Sequence, residues 1–136
     1  MAKSFQFYKT SIRVRYAETD QMGFVYYGKY AEYCEVGRVE WLRNFGISYR
    51  EMEEKGVMLP VRSLSINFKK PARYDDLILI KTRLEKTPVF TIEFYYEICN
   101  QEGEILTTAN TSLVFVDMKK NRPTKCPDYI LEKLGV

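Results

Sequence analysis

The chain has 136 residues, with 21 Lys and Arg against 18 Asp and Glu, and it carries a formal net charge of +3. Hydrophobic residues make up 46% and charged residues 29%, which is typical of a globular domain and excludes intrinsic disorder. The sequence contains no histidine, so every mechanism that needs a histidine base or a histidine metal ligand is excluded. Acid–base chemistry would have to come from carboxylates, tyrosines, lysines or the backbone.

The first half of the chain predicts one strand and two helices. Alternation over residues 11–16 is typical of a half-buried strand. Apolar residues three or four positions apart predict a long helix over 28–45. The residues of this apolar stripe are Tyr30, Cys34, Gly37, Trp41 and Phe45. The pairs Glu35–Arg38 and Glu40–Arg43 are expected on the solvent side of the helix. A capping-box pattern at 48–51 predicts a short second helix that ends at Gly56.

After Pro60 the sequence predicts four strands in succession, because apolar and polar residues alternate between turn signals. The strands cover 63–68, 77–80, 90–98 and 104–117, a hairpin loop covers 100–103, and a closing helical turn covers 127–134. This order predicts an α+β fold, in which a curved five-stranded antiparallel meander surrounds one long helix. We expect a single domain over residues 1–136. The two free sheet edges favour pairing with a second copy.

The cysteine content and the apolar segments bear on the cellular compartment. The three cysteines, Cys34, Cys99 and Cys126, have no CxxC spacing and predict neither a disulfide framework nor a zinc site. No apolar stretch reaches the roughly 18 residues that cross a bilayer, so no membrane span is expected. The first residues lack a signal-peptide core, which favours the cytoplasm. A net charge of +3 is too small to indicate nucleic-acid binding.

The densest group of reactive residue types lies between the first strand and the long helix. Asp20 stands shortly before the helix start, where free N–H groups near Tyr26 and Tyr27 stabilise negative charge. A carboxylate that faces such a helix end is a minimal apparatus for acyl transfer. An aspartate in this position is also a common turn or cap residue. Neighbouring Glu18 is interpreted as a solvated side chain.

The pattern Asp20-x-x-Gly23-x-Val25-x-Tyr27-x-x-Tyr30 resembles the signature of hotdog-fold proteins of the hydroxybenzoyl-CoA thioesterase type. That family includes the small acyl-CoA thioesterases of the bacterial Tol-Pal gene cluster. The likeness continues at 40–43, 71–77 and 114–117. It implies a hotdog fold, a homodimer or homotetramer, and an acyl-CoA substrate that is hydrolysed between subunits. CoA is then part of the substrate, and neither a cofactor nor a metal is expected.

The resemblance also implies roles for individual residues. Asp20 would be the nucleophile or the general base, and the backbone N–H of Tyr27 would polarise the thioester carbonyl. Tyr27 stands where members of the family carry Tyr or His. The residues expected to line the acyl cleft are Tyr16, Gly23, Phe24, Val25, Tyr30 and Leu64. The phosphates of CoA require cations, and the candidates are Lys69, Lys70 and Arg73 after one strand, Lys119, Lys120 and Arg122 after the last, and Arg62 as a lower candidate.

Two other functions stay open at this point. A related enzyme would hydrolyse acyl-carrier-protein thioesters, and its basic clusters would then contact an acidic protein. A non-enzymatic acyl-binding or scaffold protein would use Asp20 only as a turn residue. A nucleic-acid module is disfavoured, because Phe90, Phe94 and Tyr96 share a face with Ile92 and Ile98 as core residues do. A dehydratase of this fold is disfavoured because the chain has no histidine.

Overall fold

A computed structural model describes residues 2–136, which form eight strands and three α-helices. In chain order these are β1 (Tyr8–Arg13), α1 (Lys29–Asn44), α2 (Tyr49–Glu54), β2 (Val57–Met58), β3 (Val61–Phe68), β4 (Leu77–Leu84), β5 (Thr91–Cys99), β6 (Ile105–Val114), β7 (Val116–Asp117), β8 (Arg122–Pro123) and α3 (Asp128–Leu134). Strand β1 begins and ends three residues earlier than predicted. The chain leaves the strand there to form a 3-10 turn at Tyr16–Glu18.

The main sheet has the order β1-β4-β5-β6-β3, and all neighbouring strands are antiparallel. Strands β4, β5 and β6 form the expected meander. The prediction that β3 belongs to the same meander was wrong, because β3 pairs with β6 at the far edge of the sheet. Alternation assigns residues to a face but does not name the neighbouring strand, and the eight residues 69–76 let the chain cross to β4. Strands β2, β7 and β8 form a second, small sheet.

Helix α1 packs against the inner face of the main sheet. The side chains of Cys34 and Trp41 are completely buried there, as the apolar stripe predicted. Gly37 lies so close to β4 that a Cβ atom at this position would be 2.7 Å from both Ile80 Cγ2 and Thr82 Oγ1. A glycine at this point is therefore what allows the helix to approach the strand.

The fold has three helices, not the long helix α1 alone: the short second helix predicted to end at Gly56 forms as α2, and the closing helical turn predicted at 127–134 forms as α3. Helix α2 begins where Ser48 Oγ accepts a hydrogen bond from the Glu51 N–H at 3.1 Å. Of the two charge pairs expected on the solvent side of α1, Glu40–Arg43 is present at 2.6 Å. Arg38, in contrast, is only 7% exposed, and its Nε donates to the Tyr49 hydroxyl at 3.0 Å because the start of α2 covers it.

Of the helices in residues 2–136, none combines the length and the apolar character that a membrane-spanning segment needs.

Gly37→Ala tests the close packing of α1 on β4. The added methyl group would overlap two buried side chains, and we expect the free energy of unfolding to fall by about 1–3 kcal/mol. This is a net fall, because the overlap outweighs the roughly 1 kcal/mol that alanine gains over glycine in a helix interior. Denaturant unfolding measures the change, with exposed Glu35→Ala as the control on the same helix. A Gly37→Ala protein as stable as wild type would contradict the packing described.

Candidate active site

A cleft of about 320 Å³ opens between the start of α1 and the end of β3. The residues that line it are Asp20, Met22, Phe24, Val25, Tyr27, Tyr30, Phe68, Lys69, Lys70 and Pro71. The structure therefore brings together seven of the residues singled out from the sequence. It adds Met22, Phe68 and Pro71, which the sequence did not single out. Phe68 shares the inner face of β3 with Leu64, so strand alternation could have indicated it.

The segment from Glu18 to Tyr26 folds back on itself as a short ladder. Thr19 bridges Val25, and the Asp20 N–H donates to the Phe24 carbonyl at 2.8 Å. The Gly23 N–H donates to the Asp20 carbonyl at 3.0 Å, and Gly23 has a φ of 82°, which favours glycine. Asp20 is thus held at the base of a tight turn.

The two oxygens of the Asp20 carboxylate have different surroundings. Oδ1 accepts hydrogen bonds from the N–H groups of Met22 at 2.9 Å and Phe24 at 3.3 Å. Within residues 2–136, Oδ2 has no hydrogen-bond partner and no cation paired with it. Asp20 is therefore a turn residue through one oxygen, while the other is available to a ligand.

The start of α1 presents free N–H groups beside Asp20. The Tyr26 N–H was expected to be free, but it donates to the Glu18 carbonyl at 2.8 Å. The N–H groups of Tyr27 and Gly28 find no acceptor in the part of the chain that the structure describes. The Tyr27 side chain is 67% exposed, and its ring lies 4.6 Å from that of Tyr26. Tyr27 lines the cleft, and this segment lies at the positive end of the helix dipole.

Glu18 is not the solvated side chain that the sequence suggested. It is only 7% exposed, and its Oε1 accepts from the Arg15 N–H and from the Tyr33 hydroxyl, each at 2.9 Å. The Arg15 Nε donates to Oε2 at 3.2 Å. Burial by itself raises the pKa of a carboxyl group, but these hydrogen bonds and the Arg15 charge outweigh it, so the pKa of Glu18 lies below its ordinary value.

Three predicted pocket residues, Tyr16, Gly23 and Leu64, lie outside the cleft lining. Tyr16 and Gly23 line a second depression, which shares only Asp20 with the cleft. Tyr16 is 78% exposed, and its ring meets that of Tyr74 edge to face at 5.6 Å. Leu64 is 42% exposed on the inner face of β3.

The predicted cations divide between separate places. Lys69 and Lys70 line the cleft, and Lys70 forms an ion pair with Glu104. The Arg73 guanidinium stacks 4.7 Å from the Phe24 ring.

The remaining predicted cations lie elsewhere. Lys120 and Arg122 line a different depression that shares no residue with the cleft. The N–H groups of Lys119 and Lys120 donate to Asp117, which explains the turn at this point. The last of the candidates, Arg62, donates from Nε to Ser112 Oγ at 2.9 Å.

Other titratable groups of the chain, outside Asp20, are poorly suited to acid–base or nucleophilic work. Burial raises the pKa of the Tyr30 phenol, which accepts a hydrogen bond from the Ala72 N–H at 3.3 Å. Burial also raises the pKa of both the Cys34 and the Cys126 thiols to about 12. Residues 2–136 hold no group of three or more His, Cys, Asp or Glu side chains that could bind a metal ion. Among the described residues, Asp20 is thus the one acidic side chain that lines the cleft.

Known proteins are similar to this chain in both sequence and fold. Residues 14–134 match the family described as the thioesterase-like superfamily. YneP of Bacillus subtilis, whose name describes it provisionally as an acyl-CoA thioesterase, is 40% identical over 85% of this chain and 83% of its own length. The acyl-acyl carrier protein thioesterase ATL2 of Arabidopsis thaliana is 33% identical over 95% of this chain and 69% of its own. The structure of DHNA-CoA thioesterase from Staphylococcus aureus has a TM-score of 0.87 and 36% identity, over 93% of this chain and 85% of that one.

The lowered pKa of Glu18 makes a prediction about stability and pH. A carboxylate whose pKa is lower in the folded chain stabilises the fold above its unfolded pKa of about 4.5, and loses that effect as the pH falls through the folded pKa. Wild type should therefore exceed Glu18→Gln in free energy of unfolding at about pH 7, and this difference should shrink toward about pH 3. Denaturant unfolding across this range measures it. A difference that grows as the pH falls would show that folding raises the pKa of Glu18 instead of lowering it.

Proposed function

Because this chain belongs to the thioesterase-like superfamily, we propose that it hydrolyses acyl-CoA thioesters to the free acid and CoA, with Asp20 and the start of α1 as the reacting site. One observation carries the proposal: Asp20, whose carboxylate has one free oxygen, and Tyr27, whose N–H group at the helix start is free, line the same cleft. Support comes from the DHNA-CoA thioesterase, which is 36% identical and has the same fold. The whole chain serves as a single thioesterase domain.

The proposed reaction begins with the thioester carbonyl oxygen against the N–H groups of Tyr27 and Gly28. These donors stabilise the negative charge that the oxygen gains when the carbonyl carbon is attacked. In one route Asp20 Oδ2 attacks, the CoA thiolate leaves, and water hydrolyses the resulting mixed anhydride. In the other, Oδ2 takes a proton from water, which attacks the carbonyl directly, and the same thiolate leaves. A thiol has a pKa of about 8.5, so it departs as the thiolate without a strong general acid.

We propose positions for the two ends of the substrate from the residues that line the cleft. Phe24, Tyr30 and Phe68 give it aromatic walls, which we assign to the acyl group. Lys69 lies at its rim and forms no ion pair within residues 2–136, so we assign it to a CoA phosphate. Lys70 and Arg73 have partners already, in Glu104 and the Phe24 ring. The group Lys119, Lys120 and Arg122 would reach the nucleotide only from another subunit or along an extended CoA.

We further propose a homodimer formed along β3, with a homotetramer as the larger alternative. Strand β3 is an edge strand, so its outer row of backbone groups is open to pairing. Three of its apolar side chains are unusually exposed: Val61 at 46%, Leu64 at 42% and Phe68 at 53%. Pairing with a second copy would satisfy the backbone groups and bury these side chains. Since Phe68 lines the cleft, the partner would also help to close it.

An acyl-carrier-protein thioester is the second candidate substrate. ATL2, which is named for such substrates, is 33% identical to nearly the whole of this chain. The exposed lysines at the cleft rim would then contact the acidic carrier. Competition between an acyl-CoA and the same acyl group on a carrier protein would separate the two substrates.

The proposed location is the cytoplasm. All three cysteines are free thiols, which suits a reducing compartment, and acyl-CoA is an intracellular substrate.

Asp20→Asn tests the proposed carboxylate. Loss of a nucleophile or general base should lower kcat by about 10²–10⁴-fold with little change in KM. Thiol release from short, long and aromatic acyl-CoAs measures both constants. The substituted amide keeps an oxygen that can accept from Met22 and Phe24, so the variant should stay folded. A variant with wild-type kcat would leave Asp20 with the role of a turn residue alone.

Tyr27→Phe is the matched control at the helix start. It removes only the hydroxyl group of the side chain and leaves the ring and the backbone N–H group, so kcat should change far less than in Asp20→Asn. If the two variants lose equal activity, the Tyr27 hydroxyl takes part in the reaction, and the proposal that Tyr27 acts only through its backbone N–H group is wrong.

Ser65→Lys tests the proposed dimer along β3. In antiparallel pairing of two copies of Val61–Phe68, residue 65 lies near the two-fold axis, and the substitution places like charges close together. Sedimentation velocity should give wild type twice the 16.1 kDa of the chain and shift Ser65→Lys toward monomer. Ser11→Lys on β1, the other edge strand, is the control and should stay dimeric. Equal behaviour of the two variants would exclude β3 as the interface.

A further inference from the structure

We infer that Glu18 is a positioning residue that holds the Asp20 carboxylate and the Tyr27 N–H group in register, an inference that rests on the proposed function. Glu18 lies two residues before Asp20 at the end of the 3-10 turn Tyr16–Glu18, and it is only 7% exposed. The Glu18 carboxylate lies outside the cleft lining, although Asp20 is only two residues away. Its buried position therefore suggests a structural role near the site.

The side chain of Glu18 joins two parts of the fold. Its oxygens accept the N–H and Nε–H groups of Arg15, which follows β1. Oε1 also accepts the hydroxyl of Tyr33, which lies in the second turn of α1 and is itself buried. Glu18 thus links the segment that directly follows β1 to helix α1, on either side of the loop that carries Asp20.

The backbone of Glu18 extends the tie to the far end of the loop. Its carbonyl accepts the Tyr26 N–H at 2.8 Å, and the next pair of residues, Thr19 and Val25, forms a bridge. Asp20 comes one residue after Thr19, and Tyr27 comes one residue after Tyr26. The distance between the carboxylate and the free N–H group is therefore set by the pairs that begin at Glu18.

The hydrogen bonds of Glu18 require its side chain to be an ionised carboxylate. Three donors converge on Glu18, and a carboxylate offers only acceptor sites. A glutamine has one acceptor oxygen and an NH2 group, so at least one donor would lose its partner. Burial and the nearby Glu18 charge raise the pKa of Tyr33 well above its ordinary value, which keeps its hydroxyl protonated as a donor.

The experiment compares Glu18→Ala, Glu18→Gln and Tyr33→Phe with Glu93→Ala. Glu93 is a matched control, because it is a half-buried, hydrogen-bonded carboxylate on the outer face of β5, away from the cleft. A misplaced reacting group costs on the order of 10²-fold in rate, so Glu18→Ala should lose about that much kcat while KM changes less than about threefold. Glu18→Gln should recover part of the loss, and Tyr33→Phe should lose about tenfold or less. Glu93→Ala should keep the wild-type kcat.

Amide hydrogen exchange gives a readout that does not depend on activity. In Glu18→Ala, the amides of Asp20 and Tyr26 should exchange faster than in wild type, whereas in Glu93→Ala they should not. If Glu18→Ala does not fold, Glu18→Gln and Tyr33→Phe provide the same test with smaller effects.

The outcomes separate this inference from the proposed function. Faster exchange together with reduced kcat supports both. Wild type that hydrolyses neither acyl-CoA nor acyl-carrier-protein thioesters would refute the proposed hydrolysis. Faster exchange in Glu18→Ala would then still support the positioning role of Glu18. Glu18 variants that match Glu93→Ala in both kcat and exchange would overturn the inference, because Glu18 would then contribute only to general stability.

Discussion

The rest of the structure depends on the contact between helix α1 and the inner face of the sheet. Gly37 allows this contact, because any larger residue would bring a Cβ atom within 2.7 Å of two side chains on β4. Once the helix is fixed against β4, its first turn has one position relative to β1 and to the loop that joins them. The cleft forms between that first turn and the end of β3. A packing constraint in the middle of the helix thus decides where its free N–H groups lie.

The same loop that completes the fold also prepares the proposed chemistry. Asp20 uses one oxygen to hold the turn and leaves the other open, so the structural and the catalytic interpretations of this residue are compatible. Glu18 lies outside the cleft lining and both of its oxygens already accept hydrogen bonds, so its place is in the support of the loop. Two acids two residues apart therefore have different tasks, and the difference comes from burial and from the donors around each one.

Much of this arrangement could be read from the sequence, and the failures have physical causes. Periodicity gave the buried stripe of α1, and the resemblance directed attention to Asp20 and Tyr27. Alternation could not place β3 beside β6, because pairing partners depend on the whole sheet. Local pattern also put Arg38 and Glu18 in solvent, whereas both are buried by segments distant in sequence, Tyr49 covering the first and Tyr33 the second. Contacts between separate segments are what a local pattern leaves out.

The central claim is that the thioester carbonyl lies between the Asp20 carboxylate and the N–H groups of Tyr27 and Gly28. The most direct test is a crystal structure of Asp20→Asn with the acyl-CoA that wild type hydrolyses fastest. The account predicts the carbonyl oxygen within hydrogen-bond distance of the Tyr27 nitrogen, with the acyl group against Phe24, Tyr30 and Phe68. A thioester bound elsewhere, such as in the depression between Tyr16 and Tyr74, with the cleft empty, would contradict it.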